Sequence, residues 1–148
     1  MLAPIAAALT ASITMLLNYP GPAPAERRDV QCEIQLAASE LKAGGTGELV
    51  VRFTPEEGIH INTDPTMEFE FEKGSSAHFK AITAMPKAPK TGYLDATRPV
   101  RCSFTLDKKL RKGTHTLKGN IHYYFCSDIE GWCNRSTQPF ELKFTVAP

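Results

Sequence analysis

The chain has 148 residues, of which 42% are hydrophobic and 22% are charged, and this composition is typical of one soluble globular domain. Its formal charge of +1 provides no field that would gather a nucleic acid or an anionic lipid surface. The basic run of Lys108, Lys109, Arg111 and Lys112 stands beside Gly113 and is predicted to be a solvated turn. We therefore expect no nucleic-acid partner.

Residues 1–25 differ in composition from everything that follows them. The run MLAPIAAALTASITMLL is apolar and uncharged, and the proline-rich stretch after it ends in an Ala-x-Ala pattern at Ala23 and Ala25. This pattern is typical of a signal peptide that is cleaved after Ala25. Because no lysine or arginine precedes the apolar run, either the true start lies upstream or this segment is an uncleaved anchor that tethers the protein to a membrane. Both interpretations predict that residues 26–148 form an exported domain.

From residue 29 onward, hydrophobic residues recur at every second position, as they do in strands with one buried face. The pattern is plainest in TMEFEFEKG, where Met67, Phe69 and Phe71 share one face and three glutamates share the other. Strands are predicted near residues 30–36, 49–53, 67–71, 78–84, 99–107, 115–126 and 138–146. The shared phase predicts a core that includes Met67, Phe69, Phe71, Phe104, Phe140, Leu142 and Phe144.

The strands are short, turn signals separate them, and no stretch predicts a helix. These features favour an all-β fold, an immunoglobulin-like β-sandwich of seven to eight antiparallel strands. Residues 85–99 carry three prolines, which interrupt any central strand, and we expect this segment to be an exposed loop.

The chain has four cysteines, which permit three complete pairings: Cys32, Cys102, Cys126 and Cys133. Outside the reducing cytosol, the thiols of an exported protein tend to be oxidised to disulfides. Cys126 ends one alternating stretch and Cys133 begins the next, so both are predicted on facing arms of a β-hairpin. Cys32 and Cys102 lie within hydrophobic strands, where they are either a structural disulfide or buried free thiols. A link between them would close a long loop and contribute roughly 4 kcal/mol, against roughly 2 to 3 for the short loop.

Three roles for Cys126 and Cys133 remain open from the residues alone. They are a redox-active pair, a permanent structural disulfide, or part of a metal site. Zinc usually takes four nitrogen or sulfur ligands at tighter cysteine spacing. A copper site using His60, His122 and a methionine is imaginable, but nothing in the spacing requires it. We therefore predict no metal and no cofactor. His60 is expected to face away from the buried side of Ile59 and Ile61.

The chain resembles the N-terminal periplasmic domain of the thiol:disulfide interchange protein DsbD. The residues that carry the resemblance are GIHINTDP at 58–65, YYFCSDIEGWC at 123–133 and FELKFTV at 140–146, and it extends over about residues 29–147. It implies an immunoglobulin-like sandwich that relays electrons from a thioredoxin-like donor, acting in trans, to oxidised periplasmic partners.

By the same resemblance, Cys126 and Cys133 are the redox pair. Cys133 forms the mixed disulfide with a partner, and Cys126 resolves it. A cap loop would cover the cysteines within residues 86–95, where Tyr93 is the one aromatic residue. Tyr124 and Trp132 stand beside the cysteines as candidate partner contacts, although Trp132 is equally explained by packing.

A second class of function is a non-catalytic immunoglobulin-like module that binds a partner protein and carries a structural disulfide. Whether the chain is an enzyme therefore depends on the reactivity of Cys126 and Cys133.

Overall fold

The computed structural model describes residues 29–148, and in this range the regular structure consists of strands without a helix. The strands are β1 (Val30–Leu36), β2 (Glu40–Leu41), β3 (Thr46–Pro55), β4 (Ile59–Ile61), β5 (Glu68–Phe71), β6 (Ala77–Ala84), β7 (Val100–Leu106), β8 (Gly113–Ser127) and β9 (Trp132–Val146). The predicted all-β class is confirmed. The signal peptide or anchor predicted at residues 1–25 lies outside the described residues. Within residues 29–148, no helix is long and apolar enough to cross a membrane.

The first sheet has the order β1-β3-β7-β6, and each of its pairs is antiparallel. Its two central strands supply much of the core, because β3 buries Leu49, Val51 and Phe53 while β7 buries Val100 and Phe104. These residues alternate along each strand, so one face of the sheet is apolar.

The second sheet has the order β2-β9-β8-β4, and β5 also pairs with β8. Strands β8 and β9 are 15 residues each and form one long hairpin, whose register runs from Gly113 opposite Val146 to Ser127 opposite Trp132. The two sheets pack together as a β-sandwich, an arrangement compatible with the immunoglobulin-like type.

Two details of the predicted sandwich are corrected. The described residues form nine strands where seven to eight were predicted, and β2 runs parallel to β9 where all pairs were expected to be antiparallel. Strands β2 and β4 have only two and three residues, which is too short for a period of two to be visible in the sequence.

The core follows the predicted alternation. Five of the seven predicted core residues are buried: Met67, Phe69, Phe104, Phe140 and Phe144. Phe71 and Leu142 are partly buried and pack against this cluster at its margin. Glu68 and Glu70 are exposed, as the phase of the strand requires.

Two glycines face phenylalanine rings across neighbouring strands. Gly47 on β3 lies opposite Phe104 on β7, and Gly119 on β8 lies opposite Phe140 on β9. A Cβ atom on Gly47 would stand 2.3 Å from Cζ of Phe104, and one on Gly119 would stand 2.7 Å from Cζ of Phe140. Each ring therefore occupies the space that a side chain on its glycine partner would need.

The candidate structural disulfide between Cys32 and Cys102 is absent, and both residues are free thiols. Strand β3 lies between β1 and β7, with Cys32 opposite Phe53 and Cys102 opposite Leu49. Adjacent strands are about 4.8 Å apart, so two strand spacings already exceed the ~7 Å Cα separation that a disulfide can bridge. The alternative of free thiols is the one that the strand order permits, and of the two Cys102 is buried whereas Cys32 is only partly buried.

Candidate functional site

The disulfide joins Cys126 and Cys133 beside the turn of the long hairpin, where the two residues lie directly opposite each other. Their Cα atoms are 4.0 Å apart. Cys126 is buried, with 7% of its surface exposed, whereas Cys133 is exposed. A protein that approaches this end of the hairpin therefore meets Cys133 first.

The alternation of β8 determines which way the disulfide faces. Ile121, Tyr123 and Phe125 point into the core, so Tyr124 and Cys126 lie on the opposite face of the sheet. The predicted position of the two cysteines on facing arms of a hairpin is confirmed.

The turn beyond the cysteines is held together by Ser127. Its hydroxyl accepts a hydrogen bond from the backbone N–H of Glu130, at 3.0 Å, and its carbonyl accepts one from Gly131, at 2.9 Å. Gly131 has a φ of 72°, a conformation that glycine adopts without the steric cost that other residues incur. The hydrogen-bonded turn keeps the two arms, and so the two sulfurs, together.

Strand β4 lies against Cys126 on the side away from Cys133. His60 is the residue opposite Cys126, and it faces away from the core while Ile61 is buried, as predicted. Asn62 follows the strand, and its backbone N–H donates to the carbonyl of Tyr124 at 2.8 Å. Its side-chain Nδ2 donates to Sγ of Cys126 at 3.4 Å.

The loop predicted as a cap lies next to β4. Tyr93 stacks on the ring of His60, with ring centroids 3.6 Å apart and an interplanar angle of 13°. The backbone N–H of Leu94 donates to the carbonyl of Ile61 at 2.9 Å, and its side chain is buried in the core. The loop is therefore anchored to β4, and the prediction that residues 85–99 are simply exposed is wrong at Leu94.

Both carboxylates of the hairpin turn have partners. Asp128 Oδ2 lies 3.1 Å from Nδ1 of His60, and Glu130 accepts a hydrogen bond from the indole N–H of Trp132. His60 thus contacts the cap through Tyr93 and the turn through Asp128, and it joins the two segments that flank the disulfide.

The two candidate partner contacts lie on different faces of the hairpin. Trp132 packs edge-on against Phe125, with ring centroids 5.7 Å apart, and is half-buried on the core side. This is the packing role that the sequence left open for it. Tyr124 shares the face of Cys126 and is half-buried, so it is the better placed of the two to meet a partner at Cys133.

The metal alternative has no set of donors among residues 29–148, since no group of three or more histidine, cysteine or acidic residues could hold an ion there. His60 lies opposite Cys126, whereas His122 lies opposite Glu68 and comes four positions before Cys126 on β8. The imidazole of His122 contacts the hydroxyl of Thr137 at 2.8 Å and the carboxylate of Glu70 at 3.0 Å.

The free thiols of Cys32 and Cys102 are predicted to be inert in the native protein. Burial raises the pKa of Cys32 to about 12, and burial together with the carboxylate of Glu48 raises the pKa of Cys102 to about 12. At pH 8 the thiolate fraction of each is then on the order of 10⁻⁴. A chromogenic aromatic disulfide should label neither thiol in the folded, oxidised protein at this pH, and both after denaturation.

Labelling of Cys32 and Cys102 in the native protein is expected to increase with pH. Because the pKa of each thiol is raised, labelling of the native protein should increase only as the pH rises toward 12, and mass spectrometry of labelled peptides follows each site separately. Rapid labelling of Cys32 or Cys102 at pH 8 without loss of structure would contradict the raised pKa of that thiol.

The chain was compared with protein-family models and with curated proteins, and neither comparison finds a match. The class that the structure defines is a β-sandwich with a disulfide at the end of its longest hairpin. The likeness to the N-terminal domain of DsbD stays a prediction that rests on the residues quoted for it.

Proposed function

We propose that this domain relays electrons between proteins by thiol–disulfide exchange at Cys126 and Cys133. The observation that carries the proposal is the unequal exposure of the two cysteines, since Cys133 is exposed and Cys126 is buried. Exchange proceeds by attack of a thiolate on a disulfide sulfur, and access to that sulfur controls which one is attacked. Because Cys133 is exposed and Cys126 is shielded, an incoming thiolate attacks the sulfur of Cys133.

In the reduced protein, the Cys133 thiolate attacks a sulfur of a partner's disulfide, and the partner's other sulfur leaves as a thiolate. The Cys126 thiolate then attacks Sγ of Cys133, the mixed disulfide breaks, and the electron pair goes to the partner sulfur that Cys133 had attacked. The domain ends oxidised by two electrons and the partner ends reduced by two. The hairpin register holds Cys126 opposite Cys133, so the second step is intramolecular and fast.

The proposed partners are a thioredoxin-like donor that acts in trans and oxidised proteins of the periplasm or cell envelope. The export pattern of residues 1–25 and the resemblance to the N-terminal domain of DsbD support this assignment. Exchange between sulfurs needs no cofactor, because the thiols themselves carry the electrons.

The reduction potential of the disulfide tests this function. We expect a value above about −300 mV, because bridges with a purely structural role usually lie below that value. The protein is equilibrated in glutathione redox buffers, and the fraction of Cys126–Cys133 disulfide is read by alkylation and mass spectrometry. A variant in which both cysteines are alanine is the control for reaction at Cys32 and Cys102.

A potential below about −300 mV would contradict the relay and would support the other class, a partner-binding module with a structural disulfide. The packing of Trp132 on Phe125 at the base of the turn is the observation that favours that second class.

A further inference from the structure

Asn62 makes an unusual set of contacts beside the buried sulfur. Its backbone N–H is fixed by the carbonyl of Tyr124, and its Nδ2 donates to Sγ of Cys126 at 3.4 Å. The other atom of the same amide, Oδ1, is buried and has no hydrogen-bond partner among the residues that the structure describes. The amide is therefore held at the sulfur while half of its hydrogen-bonding capacity is unused.

This state of the amide is unfavourable in the oxidised protein. A disulfide sulfur carries no proton to donate and is a weak acceptor, so it satisfies neither amide atom well. Leaving a polar oxygen buried without a partner costs free energy that a hydrogen bond would recover. Buried polar atoms of this kind call for a physical reason, and the chemistry of the neighbouring sulfur supplies one.

We propose that Asn62 is a positioning residue that stabilises the reduced form of the disulfide by hydrogen bonding to the sulfur of Cys126. The inference rests on the proposed function, which makes reduction of this disulfide a step of the protein's cycle. It assigns to Asn62 a role in setting the balance between the dithiol and the disulfide.

The role follows from the path of the electrons. A donor thiolate attacks Sγ of the exposed Cys133, the Cys126–Cys133 bond breaks, and the electron pair leaves on Sγ of Cys126. Nδ2 of Asn62 already points at that sulfur, so its N–H donates to a full negative charge where it previously met a neutral sulfur. When Cys126 takes up a proton, its S–H becomes a donor, and rotation of the amide about χ2 would present Oδ1 to it as an acceptor. Both reduced forms satisfy the amide better than the disulfide does.

The position of Asn62 also favours one order of events. The amide contacts Cys126, so it stabilises Cys126 as the leaving group when Cys133 is attacked. Attack at Cys126 would instead expel Cys133, and the approach to Cys126 passes the segment in which Tyr93 covers His60. Burial and the amide hydrogen bond therefore agree on Cys133 as the sulfur that meets the partner.

The test measures how far Asn62 shifts the glutathione equilibrium of the disulfide. Asn62→Ala removes both hydrogen-bonding atoms, and we expect the equilibrium to move about tenfold toward the disulfide, which is ~30 mV to more negative potential. Asn62→Asp keeps the shape of the side chain but places a carboxylate beside the leaving thiolate, so it should shift the equilibrium in the same direction and by more. Asn134→Ala, an exposed amide next to Cys133, is the matched control and should leave the potential unchanged.

If Asn62 only stabilises the fold, its replacement is expected to change stability and not the reduction potential. Asn62→Ala would then keep the wild-type potential and lower only the midpoint of thermal unfolding, whereas the shift in Asn62→Asp reports the new charge beside Cys126 under either explanation. A wild-type potential in folded Asn62→Ala overturns the proposal. If Asn62→Ala does not fold, Asn62→Leu decides in its place, because leucine keeps the volume of the side chain and has neither hydrogen-bonding atom. The two proposals are tested by different measurements. The absolute potential of the wild-type protein tests the relay, and the difference in potential between the wild type and the variants tests the role of Asn62.

Discussion

Cys126→Ala is expected to trap a mixed disulfide with a redox partner, and Cys133→Ala is expected to trap none. The first variant keeps the exposed thiol of Cys133, which attacks a partner disulfide, and it lacks the thiol that would release the product. The second variant keeps only Cys126, whose surroundings shield it from a partner. The difference in trapping rate should be on the order of 10² or more, because access to the sulfur limits the reaction.

The probe is a thioredoxin-like protein whose second active-site cysteine is replaced and whose first carries an aromatic disulfide leaving group. Release of the coloured thiol measures the rate, and a non-reducing gel shows the covalent product. Peptide mapping must place the link at Cys133, since Cys32 and Cys102 are also thiols. Equal trapping by the two variants would contradict the assigned roles, and trapping by neither would leave the disulfide with a structural role.

The strands that could be predicted are those long enough to show a period of two. The alternation of Met67, Phe69 and Phe71 with glutamates predicted both β5 and the direction in which its side chains face, and the structure confirms it. The alternation on either side of Cys126 and Cys133 likewise predicted a facing pair. In each case neighbouring residues carry the whole signal, because the pleat repeats every two positions.

The order of strands within each sheet could not be predicted in the same way. The separation of Cys32 from Cys102 follows from β3 lying between their strands, and no local pattern encodes that choice. Leu94 likewise enters the core from a proline-rich segment, because its backbone N–H bonds to Ile61 on β4. Such contacts depend on how the folded sheets meet and carry no period in the sequence.

The part of the site that sequence reasoning missed comes from distant residues. Asn62 contacts Cys126 across 64 positions, and His60 contacts Asp128 across 68. The stretch GIHINTDP carries part of the resemblance to the N-terminal domain of DsbD, but one asparagine in a turn is an ordinary feature of loops. The contact of Asn62 with Cys126 forms only because β4 pairs with β8, which brings the amide to the sulfur.

The opposition of Gly47 and Phe104 leads to the largest expected effect on stability. Phe104 is fully buried, and Phe104→Ala should lower the free energy of unfolding by about 4 kcal/mol, because it removes apolar contacts and leaves a cavity. Gly47→Ala should lower it by about 2 to 3 kcal/mol, because the new methyl group would lie 2.3 Å from Cζ of Phe104. Urea denaturation monitored by circular dichroism measures both changes.

The double variant separates this explanation from a general loss of structure. With the Phe104 ring removed, the methyl group at position 47 enters the space that the ring occupied, so the combined loss should be about 4 kcal/mol and well below the sum of the single losses. The other glycine supplies a matched control, since a Cβ on Gly119 would meet the backbone oxygen of Glu70 at 2.2 Å as well as the ring of Phe140. That oxygen stays when Phe140 is truncated, so Gly119→Ala should destabilise the Phe140→Ala protein almost as much as the wild type. Additive losses at Gly47 and Phe104, to within about 0.5 kcal/mol, would show that the ring does not fill the space of the missing side chain.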